Sequence, residues 1–345
     1  MNSQWRDFLQ TRGAQFDEAG QTRFPAAPGS ADPALCDLGH LGLIKVTGAD
    51  ALGFLQGQVT NDVRQVSVTH SQLAGYCNPK GRLLASLRIF RIDEALYLQL
   101  PRTQLDLVLK RLRMYILRAQ VALTDVTDDF TVIGLSGESA GDLLMAALPD
   151  LSSPPAEFND QIQSGELTLI RQAGTLPRFL ILGPWPALMA LWDRLAAQAT
   201  PLDASYWTLL DIRAGLPTIQ PETREAFVPQ MVNLQRVDGV SFTKGCYTGQ
   251  EIVARMQYLG KLKRRLYIGE VTLDRPPAPG EELFSPISES AQTAGTIVEA
   301  CSLGDDRWAI SAVAEIAAVA DGRLSLGEGG PRLRLGEPPY GFPAT

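Results

Sequence analysis

The chain has 345 residues, 45% hydrophobic and 20% charged, with a formal net charge of −7. At roughly 100–200 residues per domain this length holds about two domains, and the composition is that of an ordinary globular protein. The acidic balance argues against a chain-wide basic surface for nucleic acid while leaving room for a local basic patch.

The opening stretch MNSQWRDFLQTR carries charges where a signal peptide needs an apolar run. It reads as a short helix with Trp5, Phe8 and Leu9 on one face. FPAAPGSADPA follows as a linker by composition, so residues 1–35 are expected to form a leader helix and linker. GLIKV then reads as a strand, Gly48 as a turn, and Asp50 as the opening of a short helix with Leu52 and Leu55 inward. YCNPKGRLLASLRIFRI reads as strand, Asn-Pro-Lys-Gly turn and strand, with Leu83, Ala85, Leu87 and Ile89 alternating onto one face. TQLDLVLKRLRMYILRA is an amphipathic helix in which Leu105, Leu109, Leu112 and Ile116 recur at helical spacing. Its opening Thr103-x-x-Asp106 fits a capping box with Asp in place of the usual Glu.

FLILGPWPALMALW, residues 179–192, is the longest charge-free apolar stretch. It is shorter than a span of about 20 residues and holds two prolines, so a membrane helix is not expected there, and a cytoplasmic location is. PALMALWDRLAAQA and DASYWTLLDIRAG read as two further helices, the second stopping at Gly215 in a left-handed position. Beyond Lys263 the texture becomes RRLYIGEVT, AGTIVEAC and RWAISAVAE, short strands between Pro/Gly turns. This predicts an all-β module, a small barrel of about 80 residues.

The most specific stretch is KGCYTGQEIVAR, residues 244–255. Thr248-x-x-Glu251 fits a capping box ahead of Ile252, Val253 and Met256, and Gly260 suits the helix end. Cys246 would then lie just before a helix N-terminus, whose partial positive charge favours a thiolate, with Lys244 adding to it. Gly245 and Gly249 suit positive φ or close approach of a ligand. A reactive thiol and a buried cysteine at a tight turn are both open on this reading. A cysteine nucleophile usually needs a base, and the two histidines, His40 and His70, sit far back in segments that read as structural. Cys36, Cys77, Cys246 and Cys301 show neither zinc-finger spacing nor clustered iron–sulfur ligand spacing. They read as reduced thiols, and no metal site is expected.

FLQGQVTNDV (54–63), NPKGRL (78–83), LDIRAGLP (210–217), FVPQMVNLQRVDGVSFTKGCYTGQEIVAR (227–255) and GKLKRRL (260–266) together resemble the YgfZ family, folate-binding relatives of the glycine-cleavage T-protein. The resemblance runs in order from about residue 36 to the end. It implies an α+β, T-protein-like multi-module folate-binding fold, with residues 36–260 as the folate-binding region and residues 261–345 as the C-terminal β-barrel. It implies tetrahydrofolate or a derivative as cofactor. It also implies a role in iron–sulfur cluster assembly or repair, with effects on iron–sulfur-dependent tRNA modification, and iron–sulfur assembly proteins or client enzymes as partners.

By the same resemblance Cys246 matches the family's functional cysteine and Trp207 its folate-contacting tryptophan, with core packing the alternative for Trp207. Leu41 stands where the family has a second tryptophan. Arg213 replaces a family glutamate that accepts hydrogen bonds from a pterin, and arginine offers only donors. Asp106 lies roughly at the T-protein's catalytic aspartate, although the capping box explains it without chemistry. Gln230 and Asn233 match positions on the ligand side. Lys244, Gly245, Tyr247, Gly249 and Gln250 form the loop expected to border the folate. Arg255, Lys261, Lys263, Arg264 and Arg265 form a basic run suited to a folate polyglutamate tail, to tRNA phosphates or to a solvated face. Two other functions stay open: a folate-dependent one-carbon transferase acting through Asp106, and a scaffold whose folate pocket has degenerated, as Leu41 and Arg213 would suggest.

Overall fold

A computed structural model describes residues 2–18, 20–25, 32–288 and 293–342. The helices and strands fall close to where the apolar periodicities put them, because burial of one face decides both kinds of element. Strands Leu41–Thr47, Gln72–Cys77 and Leu83–Ile92 and helices Arg102–Met114, Trp185–Ala196 and Ala204–Ala214 all form. The middle of the expected linker, residues 26–31, lies outside the described residues.

The chain divides into two units, each discontinuous in sequence. The first comprises residues 1–54, 64–72 and 88–207, and the second 55–63, 73–87 and 208–345. In the first, a six-stranded sheet runs in the spatial order Gln161–Ser164, Leu167–Arg171, Arg178–Gly183, Thr131–Ser136, Ala34–Asp37, Thr200–Leu202. Its last pair is parallel and the others are antiparallel. Helix Ser3–Gln10 is capped by the side chain of Asn2 and contributes Trp5, Phe8 and Leu9 to this unit's core. The Trp5 ring meets Trp192 edge-on at 5.7 Å, and its indole N–H donates to the buried Asp37 carboxylate at 2.9 Å. In a second group of strands, Leu41–Thr47 pairs with Ala95–Pro101 and Ala122–Asp125, and the latter half of Leu83–Ile92, from Arg88, pairs with Ala95–Pro101.

The second unit is built on a curled, six-stranded antiparallel sheet ordered Ser325–Leu326, Glu282–Phe284, Gly295–Gly304, Arg307–Glu315, Arg264–Thr272, Arg334–Gly336. Register shifts between Ile297 and Glu299 and between Ser302 and Gly304 interrupt the pairing of Gly295–Gly304 with Arg307–Glu315, and such bulges bend a strand. Tyr267, Leu283, Ile297, Ile310 and Leu333 belong to its own core. The three strands read from RRLYIGEVT, AGTIVEAC and RWAISAVAE are its central ones.

Three local expectations are corrected. The helix Ala51–Gln56 buries Ala51 and Leu55, one turn apart, so Leu52, roughly 100° round from Ala51, is left 38% exposed. The helix Arg102–Met114 begins after Pro101 without a side-chain cap, so the Thr103–Asp106 capping box does not form, and Ile116 falls past its end. No helix among the described residues is long and apolar enough to cross a membrane.

Candidate functional site

The motif residues 244–251 are fixed at both ends within the second unit. Lys244 is buried, and its ammonium donates to the carbonyls of Gln56, Val59 and Asn61, each at 2.7 Å. The Tyr247 ring lies 5.1 Å from the nitrogen. An ammonium has three donors, and meeting all three is what permits its burial. The carbonyls are held in turn. Gln56 bonds the Asp62 carboxylate and the Val63 amide, Asn61 donates to the Leu73 and Asp238 carbonyls, and Thr60 links the Gly239 carbonyl to the Gly75 amide. Lys244 is therefore a structural tie between the motif and residues 56–61.

The other end rests on the Asn78–Gly81 turn. Asn78 Oδ1 accepts from the amides of Lys80 and Arg82, and its side-chain amide donates to Glu225 at 3.0 Å. Gly249, at φ +84°, lies against this turn, so that a Cβ on it would fall 2.5 Å from the Asn78 carbonyl oxygen and 2.8 Å from Gly81 Cα. Gly249, not Thr248, caps the helix Gln250–Tyr258, and no side-chain cap bond forms. The expected Thr248–Glu251 capping box is thus replaced by backbone docking. Of the two roles expected for Gly245, positive φ is not seen, and the space where a Cβ would stand is open.

Between these anchors stands Cys246, exposed, while Cys36, Cys77 and Cys301 are buried. Burial pushes the Cys77 thiol up to about 12, and burial together with Cys77 raises the Tyr247 hydroxyl. Cys246 lies three residues before the cap of the helix, as the motif suggested in outline. The second unit, which carries it, contains no histidine. In the first unit His40 is buried, and desolvation lowers its imidazole to about 4, which makes it neutral and structural.

Gln230 and Asn233 are buried in a pair of short helical turns, Pro229–Val232 and Leu234–Val237. The Gln230 amide donates to the Val253 carbonyl at 2.7 Å, which leaves its Oε1 buried without a partner. Asn233, at φ +56°, donates to the Leu266 carbonyl and the Tyr340 hydroxyl, and that hydroxyl donates to the Gly215 carbonyl. Asn233 thereby ties a turn, a strand of the curled sheet and a helix end together. Arg213 is exposed in the last turn of its helix, where the dipole suits a cation.

In the first unit Trp207 is 3% exposed. Its ring packs on Gly134, where any Cβ would collide with it at 2.5 Å, and the Arg178 guanidinium lies 5.1 Å from its centroid. These contacts are the core-packing alternative expected for it. Asp106 is exposed in the second turn of its helix, and Leu41 is half-buried at the start of its strand.

Gln56, Asn61, Glu225 and Tyr340 also shape the second unit, beyond the motif and the Asn78 turn that the sequence marks. The available signal was polar residues inside otherwise apolar segments, TND and NPKG.

The fold is that of the glycine-cleavage T-protein class. The crystal structure of the glycine cleavage system aminomethyltransferase T from Bartonella henselae matches with a TM-score of 0.73, over 97% of this chain and 96% of that one, at 16% identity. A family model described as the GCVT N-terminal domain matches residues 30–170. The tRNA-modifying protein YgfZ of Yersinia pestis (strain Pestoides F) is 35% identical over 302 residues, 88% of this chain and 90% of that protein. Its counterpart in Yersinia enterocolitica is 33% identical over 292 residues, covering 85% and 87%. The chain belongs to the YgfZ family.

Against a folate, the side chains carried over from the family fall into two groups. Trp207, Lys244 and Asn233, and the amide nitrogen of Gln230, are already engaged by the chain's own groups. Arg213 and Gly245 are exposed and Gln250 is half-buried, while Gly249 is packed on the Asn78–Gly81 turn and Gln230 Oε1 is a buried acceptor still lacking a donor. At position 213 the chain offers donors and no carboxylate.

Proposed function

We propose that this chain is a tetrahydrofolate-binding factor that supports iron–sulfur cluster assembly or repair, and thereby iron–sulfur-dependent tRNA modification. Cys246 is its functional thiol. Its partners are iron–sulfur assembly proteins or their client enzymes, with tRNA in weak contact. The observation that carries this reading is the state of Cys246. It is the exposed one of four cysteines, on a loop fixed by the Lys244 tie on one side and by Gly249 on the other. A thiol presented in this way suits transient handling of a cluster or a mixed contact with a partner. The T-protein-like fold and the name of the relatives support the folate and tRNA parts.

The test is complementation of cells lacking the gene with the wild type, Cys246→Ala and Cys246→Ser, followed by mass spectrometry of iron–sulfur-dependent tRNA modifications. Both variants are expected to accumulate as folded protein and to fail. Full support by Cys246→Ala would overturn the role of the thiol.

A second reading, a scaffold with a degenerate folate pocket, is favoured by the covered ring of Trp207 and the donor-only Arg213. Calorimetric titration with tetrahydrofolate separates the two. Binding by the wild type supports the factor, whereas no binding by the wild type with binding gained by Arg213→Glu supports the scaffold.

A further inference from the structure

A groove of about 1450 Å³ opens in the second unit, and Arg82, Lys261, Lys263, Arg264 and Arg265 line it. Glu315 is the one acid among its lining residues, and it is paired with Arg264 at 3.1 Å. The lining thus carries a formal charge of +4, five cations less one carboxylate, in a chain whose net charge is −7. Its volume exceeds the roughly 300–1,000 Å³ of a small-molecule pocket, so a segment of a polymer fits it better than a metabolite.

Three of the cations are set in the walls. Arg82 donates to the Ala226 carbonyl, Arg264 pairs with Glu315, and the Arg265 guanidinium lies 4.4 Å from the centroid of the Phe342 ring with its Nε buried and unpartnered. Lys261 and Lys263 are exposed with half-buried Leu262 between them, the alternation of an extended segment. Alternate residues of such a segment stand about 6.6 Å apart, close to the spacing of successive phosphates on an extended nucleic-acid strand. Two residues before the lining residue Gly260, Tyr258 is 67% exposed, its ring edge-on to Phe242. An exposed ring beside a row of cations suits a base stacked next to a bound backbone.

We propose that this groove binds an RNA strand through its phosphates. The proposal deepens the tRNA contact of the function proposed above and rests on that part of it, not on the thiol or the folate.

Fluorescence anisotropy with labelled bulk tRNA and the purified full chain tests it. At −0.7 per contact in the logarithmic salt slope, four phosphate contacts make Kd rise about 50-fold between 50 and 200 mM salt. Lys261→Glu/Lys263→Glu is expected to weaken binding at least about 10-fold at 50 mM salt and to flatten that slope. The charge-matched control Lys110→Glu/Arg118→Glu, on exposed residues of the first unit, is expected to stay within about twofold. No binding at 50 mM salt, an unaffected Lys261/Lys263 variant or an equal loss in the control would overturn the proposal. Competition by poly-L-glutamate as effective as that by tRNA would reassign the groove to acidic protein. Cys246→Ala is expected to keep wild-type RNA affinity, so failure of the groove and failure of the thiol are read in separate assays.

Discussion

A buried ammonium is tolerated when each of its protons has an acceptor, and Lys244 meets that condition with carbonyls 183 to 188 positions earlier in the chain. In the linear sequence its visible neighbour is Cys246, so adjacency suggested that the lysine tunes the thiol. The tie to residues 56–61 could not be read, because a carbonyl acceptor is carried by every residue and leaves no mark in the sequence. Lys244→Met would take the lysine's donors from three carbonyls, two of them buried and one part-buried. It is expected to lower the unfolding free energy by about 3 kcal/mol or more in urea titration. Lys244→Arg would not restore it, since a planar guanidinium cannot aim its donors as an ammonium does. Wild-type stability in Lys244→Met would mean the tie contributes nothing. Cys246 was legible from its motif, and its exposure makes a count of thiols the direct check. One thiol per folded chain is expected to react quickly with an aromatic disulfide reagent, none in Cys246→Ala, and four in denaturant.

Between elements, the docking of the helix Gln250–Tyr258 onto the Asn78–Gly81 turn depends on two glycines meeting backbone to backbone. Gly249→Ala places a Cβ 2.5 Å from the Asn78 carbonyl oxygen at φ +84°, whereas Gly245→Ala meets open space. The first is expected to cost several kcal/mol and the second less than about 0.5 kcal/mol in the same titration. Equal effects would show that the helix start is free to shift. The sequence revealed that glycines mattered here, but not which one, since both flank the cysteine and only the turn 170 residues away distinguishes them. Elements whose evidence is local were read well. The strands Arg264–Thr272, Gly295–Gly304 and Arg307–Glu315 follow from alternation, and the helix Ala204–Ala214 stops at Gly215 as expected. Both capping boxes misread from local pattern fail for a tertiary reason or at a proline: Gly249 is held by a distant turn, and Pro101 takes the cap ahead of Thr103.

For the chain as a whole, the measurable consequence of the curled sheet's irregular register is a dependence of stability on pH. The shift after Ile297 accompanies a buried Glu299, 7% exposed, with Oε2 lacking a partner and Oε1 accepting from Gln220 at 3.2 Å. Burial pushes its carboxyl up to about 8, and Asp211 adds to the effect, while hydrogen bonds from Gln220 and Thr218 pull the other way. The folded chain therefore holds this proton more tightly than the unfolded chain does, and folding takes it up. The resulting stability is fully present below about pH 4.5, where both states are protonated, and is lost as pH rises through about 8. At about 1.4 kcal/mol per pH unit the loss reaches about 3 kcal/mol by pH 7 and levels off near 5 kcal/mol above pH 8, as a ceiling that local relaxation reduces. Glu299→Gln keeps the shape and removes the titration. Its unfolding free energy is expected to match the wild type at pH 4.5 and to exceed it increasingly up to pH 8. Other groups titrate over the same range in both proteins, so the difference between the two curves isolates Glu299. Parallel curves would mean that Glu299 gains a partner or water on ionising. A widening gap would identify this carboxyl as a site where the fold favours a neutral side chain and the sequence supplies an acid.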